Sequence, residues 1–340
     1  MKTVVAIGEL LIDFIPDTKG VSLKDVGRFM RKPGGAPANV AVAARRSGVP
    51  SALITMVGDD AFGAYLKETV ASFGVDVESV RTTSKANTAL AFVTLDSQGD
   101  RDFVFYRNPS ADQLMEPEDA DPKRFGDAIL HFCSVSLAPF PMRKTHEKVI
   151  RHFRENGMFV SFDPNVRLPL FEDHDAYRET IGQFVEAADL VKVSEDELGF
   201  ITQEKTYDRQ IRALFKGSVR FVIVTKGASG SVFHSRTRMV EHPGFKVEVK
   251  DTTGAGDAFI GAFLSKIART GLDETTTDTE IIDMLAFSNA AAALTTTRFG
   301  AMDGIPSEEE TNAFLKVLGA TDSPALRSAG KPFPGPENEM

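Results

Sequence analysis

Phe221-Val222-Ile223-Val224-Thr225, followed at once by Lys226-Gly227-Ala228-Ser229-Gly230, reads as a strand without a polar face that ends in a glycine-rich loop. An unbroken apolar, β-branched run is what a strand buried on both faces requires. The same signature recurs outward from it, over 190–193, 159–162, 129–135, 52–57 and 4–7. Between these runs lie stretches with helical spacing. The segment 37–47 carries Pro37 in its first turn and Gly48 just past its end, the expected asymmetry of helix termini. Residues 259–269 place Phe259 with Phe263, and Ile260 with Leu264 and Ile267, at helical spacing, and Gly271 follows. A third helix over 281–294 is so rich in alanine that a neighbour must approach it closely. Strand and helix in alternation predict an α/β fold with a mostly parallel central sheet flanked by helices. Ligands gather at the carboxyl ends of such strands, which makes 225–230 a candidate binding loop.

The composition sets limits. The chain has 340 residues, 42% hydrophobic and 26% charged, with ample apolar material for a large core. A net charge of −9 and the lack of a dense Lys/Arg cluster argue against nucleic acid as a partner. The single cysteine, Cys133, excludes an internal disulfide and a cysteine-based zinc site, and reads as a small buried hydrophobe. No apolar run reaches 18 residues, so no membrane span is expected. The first residues enter the 4–7 strand without a signal-peptide pattern, which makes the cytoplasm the expected compartment.

Two segments break the alternation. Residues 14–32 are too long for a plain connection inside a compact domain. Residues 88–95 and 102–106 read as strands joined by a turn at Asp96-Ser97-Gln98-Gly99-Asp100. Together, at about 14–33 and 88–107, they are expected to form a small β lid. Both faces of the hairpin are apolar, with Leu90 and Phe92 on one side and Ala89, Ala91, Val93 and Leu95 on the other. A second dry face points to another subunit, and so to a homodimer through the lid. The domain is expected to span 1–320, and the tail 321–340, with four prolines and no apolar periodicity, to be disordered.

Asp251-Thr252-Thr253-Gly254-Ala255-Gly256-Asp257-Ala258-Phe259 is a turn of small residues that runs straight into a helix. The first N–H groups of a helix lack internal partners, and its dipole favours an anion there. Gly254, Ala255 and Gly256 therefore suit a phosphate. Asp257 would repel it, unless its carboxylate serves as the base that takes a proton from an attacking hydroxyl. A plain helix cap is the competing reading of Asp257 alone. The spacing is neither that of a Walker loop nor that of a dinucleotide fingerprint. A second motif, Gly34-Gly35-Ala36-Pro37-Ala38-Asn39, also opens a helix. Its glycines would let a neutral polyol lie against bare backbone, and Asn39 can both donate to and accept from hydroxyls.

The two motifs, in this order and at this separation, resemble the signatures of the ribokinase/PfkB family of carbohydrate kinases, over nearly the whole chain to about Ile305. Gly8-Glu9-Leu10-Leu11-Ile12-Asp13-Phe14, Phe105-Tyr106-Arg107-Asn108-Pro109-Ser110-Ala111-Asp112, Phe162-Asp163-Pro164-Asn165-Val166-Arg167-Leu168-Pro169-Leu170 and Lys192-Val193-Ser194-Glu195-Asp196-Glu197-Leu198 are similar to its fructokinase branch. The resemblance implies a ribokinase-like, Rossmann-like α/β fold with a small β-sheet lid. It makes Asp257 the general base and Gly254, Ala255 and Gly256 its anion hole. Asp13, Gly34, Gly35, Asn39, Arg107, Asn165 and Arg167 would bind the sugar. Lys192, Ser194, Thr225, Gly227, Gly230 and Asn289 would bind ATP. Glu197 would sit in the Mg²⁺ shell through water, with Ser194 standing where many relatives have asparagine. Asp251, Thr253, Thr295, Arg298 and Gly300 match positions that hold K⁺ in relatives, although the segment beyond Gly300 is slightly longer than usual.

The leading reading is transfer of the ATP γ-phosphate to the 6-hydroxyl of D-fructose. The rival is a kinase for 2-keto-3-deoxygluconate, in which Arg107 and Arg167 would pair with the substrate carboxylate. Relatives of that type carry a tyrosine near the start of the first hairpin strand, where this chain has Thr88-Ala89-Leu90-Ala91. A kinase-shaped binding scaffold is a third reading, since fold does not fix function.

Overall fold

The structure is a computed structural model that describes residues 1–18, 20–95, 101–319 and 331–332. In chain order its strands are β1 Thr3–Ile7, β2 Leu11–Pro16, β3 Phe29–Gly34, β4 Ser51–Gly58, β5 Val80–Thr83, β6 Leu90–Leu95, β7 Arg101–Tyr106, β8 Ala128–Cys133, β9 Phe159–Asp163, β10 Leu190–Ser194, β11 Phe221–Thr225, β12 Ser231–His234, β13 Arg238–His242 and β14 Lys331–Pro332. The helices are α1 Ala36–Arg46, α2 Ala61–Ser72, α3 Pro141–Glu155, α4 His174–Val185, α5 Glu195–Thr202, α6 Tyr207–Leu214, α7 Ala255–Thr270, α8 Asp278–Thr296, α9 Ala301–Gly304 and α10 Glu308–Val317.

Among the described residues the strands form two sheets. The larger runs β14-β13-β12-β11-β10-β9-β8-β1-β4-β5. From β11 to β5 every pairing is parallel, and β12, β13 and β14 add an antiparallel edge. The absence of a polar face in the strand runs has a simple cause. On one face Val5, Ile7, Leu130, Phe132, Val160, Phe162, Val191, Val193, Val222 and Val224 join one apolar cluster with residues of α3, α4, α5 and α6. On the other Val4, Ile129, Leu190, Phe221 and Ile223 pack against Phe259, Phe263 and Ile267 of α7. The strands β1, β8, β9, β10 and β11 are buried on both sides, so apolar residues dominate both.

Some boundaries differ from expectation. The strand expected over 129–135 ends at Cys133, and the chain turns into a short 3-10 helix at Val135–Leu137. The segment 14–32 supplies strand: β2 and β3 pair antiparallel. The smaller sheet is β3-β2-β6-β7. On one of its faces Ala89, Ala91 and Val93 are buried; on the other Leu90 and Phe92 are half-buried. On that second face Phe92 stacks on Phe14 at 4.9 Å and meets Phe29 and Tyr106 edge-on. The turn at 96–100, the side chain of Leu95 and the tail apart from 331–332 lie outside the described residues.

Helices α1 and α7 cross so closely that a Cβ on Gly261 would lie 2.4 Å from that of Ala43. Glycine at 261 is what permits the approach, and it brings the starts of both helices to one place. The alanines of α8 have a packing cause: Ala286, Ala290 and Ala291 pack with Ala262 of α7 and Leu315 of α10.

Candidate active site

At the carboxyl ends of the parallel strands lies a cavity of about 370 Å³. Four of these strands lead residues to it. β1 leads to Glu9, β8 to Val135, β9 to Asn165 and Arg167, and β10 contributes Lys192 and Ser194, with Glu197 just beyond. The small sheet adds Leu11, Asp13 and Phe105. The two glycine-rich turns add Gly35, Ala36 and Asn39 on one side, and Thr252, Thr253, Gly254, Gly256 and Asp257 on the other.

The start of α7 can receive an anion at its first N–H groups. Gly254 is the N-cap, at φ 76, and no side chain caps the helix. Asp257 therefore stands in the first turn of α7, not at its cap, and the plain-cap reading fails. Its Oδ2 instead accepts a hydrogen bond from Asn39 Nδ2 at 2.8 Å, across the α1–α7 crossing. Asp257 is only 7% exposed. Burial raises its pKa above the usual carboxylate range, while the Asn39 amide and then the charges of Lys192 and Arg167 pull it back. A raised carboxylate is a better proton acceptor for a hydroxyl than an ordinary one. Gly254 must be glycine for two reasons: its positive φ, and a Cβ there would lie 2.8 Å from that of Ala301.

Lys192 extends along the same wall. Its Nζ pairs with Asp163 Oδ2 at 2.8 Å, both side chains buried, and a Cβ on Gly256 would stand 3.1 Å from that ammonium. Burial pushes Asp163 up to about 6 even beside this partner. Cys133 lies nearby as a buried thiol whose pKa burial pushes well up, which makes it inert as a nucleophile.

On the turn before α1, Gly34 faces Asp13 so closely that a Cβ would fall 2.1 Å from Asp13 Oδ2. Gly35, at φ 107, lies over the Glu9 carbonyl, which a Cβ would meet at 2.4 Å. Asn165 takes φ 47, with its N–H donating to Asp163 Oδ1 at 3.2 Å. Arg107 is placed differently from Arg167. It is buried against Asp112 and is not among the residues lining the cavity.

Glu197 holds its place through three hydrogen bonds. Oε2 accepts from the N–H and the hydroxyl of Ser194 at 2.7 and 2.9 Å, and Oε1 from the N–H of Val166 at 2.6 Å. A carboxylate so engaged, facing the cavity beside a hydroxyl, fits a hydrated Mg²⁺ better than a bare one. Asp251 ties two loops together. Its Oδ1 accepts from Thr253 N and Oγ1, and its Oδ2 from Gly300 N at 2.9 Å. These partners all donate to Asp251, so what the segment offers an alkali cation is this carboxylate and its backbone carbonyls. Thr295 Oγ1 bonds the carbonyl of Ala291, and the Arg298 guanidinium reaches Glu310.

The residues expected for the nucleotide form a second group, none of them in the cavity lining except Lys192 and Ser194. Thr225 ends β11, Gly227 and Gly230 turn the loop at positive φ, and Asn289 on α8 donates to Ser231 Oγ and to His242 Nδ1, both at 3.0 Å. Sequence reasoning missed Glu9 and Asp163. Glu9 carried one signal: a charged residue wedged between Gly8 and the apolar Leu10-Leu11, where only a partnered carboxylate survives burial.

Known proteins share this architecture. A family model described as pfkB family carbohydrate kinase matches residues 1–308. Fructokinase-2 of Oryza sativa subsp. japonica is 42% identical over 308 residues, covering 89% of this chain and 91% of that protein. The crystal structure of fructokinase with bound ATP from Xylella fastidiosa aligns with a TM-score of 0.85 at 34% identity, over 93% of this chain and 99% of that one. Fructokinase from Vibrio cholerae O395, in a form bound to fructose, ADP and calcium ion, aligns with a TM-score of 0.84 at 34% identity over the same shares. The mostly parallel sheet, the small separate sheet and the two glycine-rich helix starts are thus a ribokinase-like fold, and the chain belongs to the pfkB family of carbohydrate kinases, as an ATP-dependent sugar kinase.

Proposed function

We propose that this kinase transfers the γ-phosphate of ATP to the 6-hydroxyl of D-fructose, with Asp257 as general base. The observation that carries this reading is the buried Asp257 carboxylate, held by Asn39 at the uncapped start of α7 and open to the cavity. Its proton affinity is raised by burial, so it can take the hydroxyl proton as the oxygen attacks. The backbone of Gly254, Ala255 and Gly256, with Lys192 beside it, would hold charge on the transferring phosphoryl group. Mg²⁺ bound with ATP would supply charge neutralisation, and Glu197 with Ser194 would hold it through water. Asp251, Thr253, Thr295, Arg298 and Gly300 would hold K⁺. Thr225, Gly227, Gly230 and Asn289 would receive the nucleotide.

Fructose is favoured over a sugar acid by charge. Around the expected sugar end stand Glu9, Asp13 and Asp257, and of the two arginines only Arg167 lines the cavity. Arg107 is committed to Asp112, so the pair of guanidinium groups that a substrate carboxylate would need is not assembled. The small sheet is proposed as a lid, and its outer aromatic face as the contact between two copies of the chain. The test is an ADP-release assay with Mg-ATP and K⁺ on fructose, glucose, ribose, adenosine and 2-keto-3-deoxygluconate. Turnover confined to fructose is the expected result; turnover on the keto-acid would move Arg167 to carboxylate binding, and no turnover on any sugar would end the reading.

A further inference from the structure

Glu9 is only 2% exposed and sits in the short segment that joins β1 to β2, where the chain passes from the large sheet to the small one. The neighbouring Gly8, at φ 145, makes room for Pro37: a Cβ there would lie 2.5 Å from the proline ring. Glu9 Oε1 accepts the N–H of Ala36 at 3.2 Å, and Oε2 accepts the hydroxyl of Ser136 at 2.7 Å. Ala36 is the first residue of α1, whose N-cap is Gly35 and which has no cap from its own side chains. A carboxylate at that position does the work of a cap, and its charge suits the positive end of the helix. Ala36 also marks the return from the small sheet to the large one. Arg107, at the exit from β7, is a third such crossing, and its charge acts on Glu9. Ser136 anchors the group to the end of β8.

We propose that Glu9 is a positioning residue for the sugar: by capping α1 from outside and tying three crossings between the two sheets, it fixes the Gly34–Gly35 turn and the Asn39–Asp257 contact. This rests on the sugar lying at the Asp257 end of the cavity. Glu9 itself touches no reacting atom.

The test compares Glu9→Ala, Glu9→Gln and Glu9→Asp. Gln keeps an acceptor for Ala36 and a partner for Ser136. Asp keeps the charge on a shorter arm. Glu9→Ala is expected to raise the KM for fructose about tenfold or more and to lower kcat, because a small misplacement of a site turn is costly, while the KM for ATP stays within about twofold. Glu9→Gln should restore most of the sugar KM, and Glu9→Asp should not. Amide hydrogen exchange over 36–40 gives a second readout free of turnover: it should quicken in Glu9→Ala and stay as in the wild type in Glu9→Gln. Unchanged kinetics and exchange in Glu9→Ala would overturn the proposal. So would equal losses for ATP and sugar, or rescue by Asp in place of Gln. If Glu9→Ala does not fold, the Gln and Asp variants decide by the same readouts. A wild-type enzyme inactive on every sugar would sink the fructose reading, while the exchange result would still judge Glu9.

Discussion

Two helices begin at the same cavity, each after a glycine-rich turn, and they are finished in opposite ways. α1 has a carboxylate, Glu9, closing its first N–H. α7 has no capping side chain, and Lys192 stands beside its turn. An anion is unwelcome at the first and welcome at the second. The difference teaches how one cavity would serve the proposed sugar and phosphate sites side by side. The helix crossing at Gly261 joins them, so that Asn39 from the first helix holds Asp257 on the second.

The contrast can be erased most forcefully at the α7 turn. Gly254→Ala forces a side chain into a left-handed position against Ala301, and kcat should fall by about 10²–10³, as for the loss of an oxyanion-type donor. Steady-state rates at saturating substrates check it. Next comes the joint between the helices. Gly261→Val must push α1 from α7, and overpacking of this kind costs about 1–3 kcal/mol, visible in a denaturant melt together with a fall in kcat/KM.

A smaller effect sharpens the pairing of Asn39 with Asp257. The Asn39 amide favours the ionised carboxylate, so Asn39→Ala should raise the Asp257 pKa further. The acid limb of the kcat/KM profile should then move to higher pH, with the loss greatest in acid and least in base. The smallest effect lies at Glu310, which the Arg298 guanidinium reaches. Hydrogen bonding from Arg298 lowers the Glu310 pKa to about 2. Its folded pKa is below the unfolded one, so its stabilisation is present above about pH 4.5 and is lost as pH falls through about 2. The pair is partly exposed, at 36% and 41%, and screening should hold the cost of Glu310→Gln at pH 7 below about 1 kcal/mol.

The large sheet was legible because its strands are buried on both faces, and such runs as Phe221–Thr225 carry their burial in their composition. The two glycine turns were legible for a related reason: Gly35 and Gly254 start their helices at positive φ, which favours glycine, and glycine is visible. What stayed hidden depends on partners distant in sequence. Nothing local distinguishes Arg107, buried on Asp112, from Arg167 at the cavity wall. Glu9 gains its place only when α1, β8 and β7 converge on it. Within 14–32, expected to join the small sheet, the strand bounds were not legible, because β2 begins at Leu11 and owes its pairing to β3 and β6, not to its own periodicity.

The most direct measurement is fructose-dependent ADP release by Asp257→Asn beside the wild type, with ATP binding titrated in both. The asparagine keeps the shape and removes a charge that burial disfavours, so the variant should melt no lower than the wild type at neutral pH. Turnover should fall by about 10²–10⁴, with ATP binding unchanged. A folded variant that binds ATP and turns over fructose at near the wild-type rate would contradict Asp257 as the base.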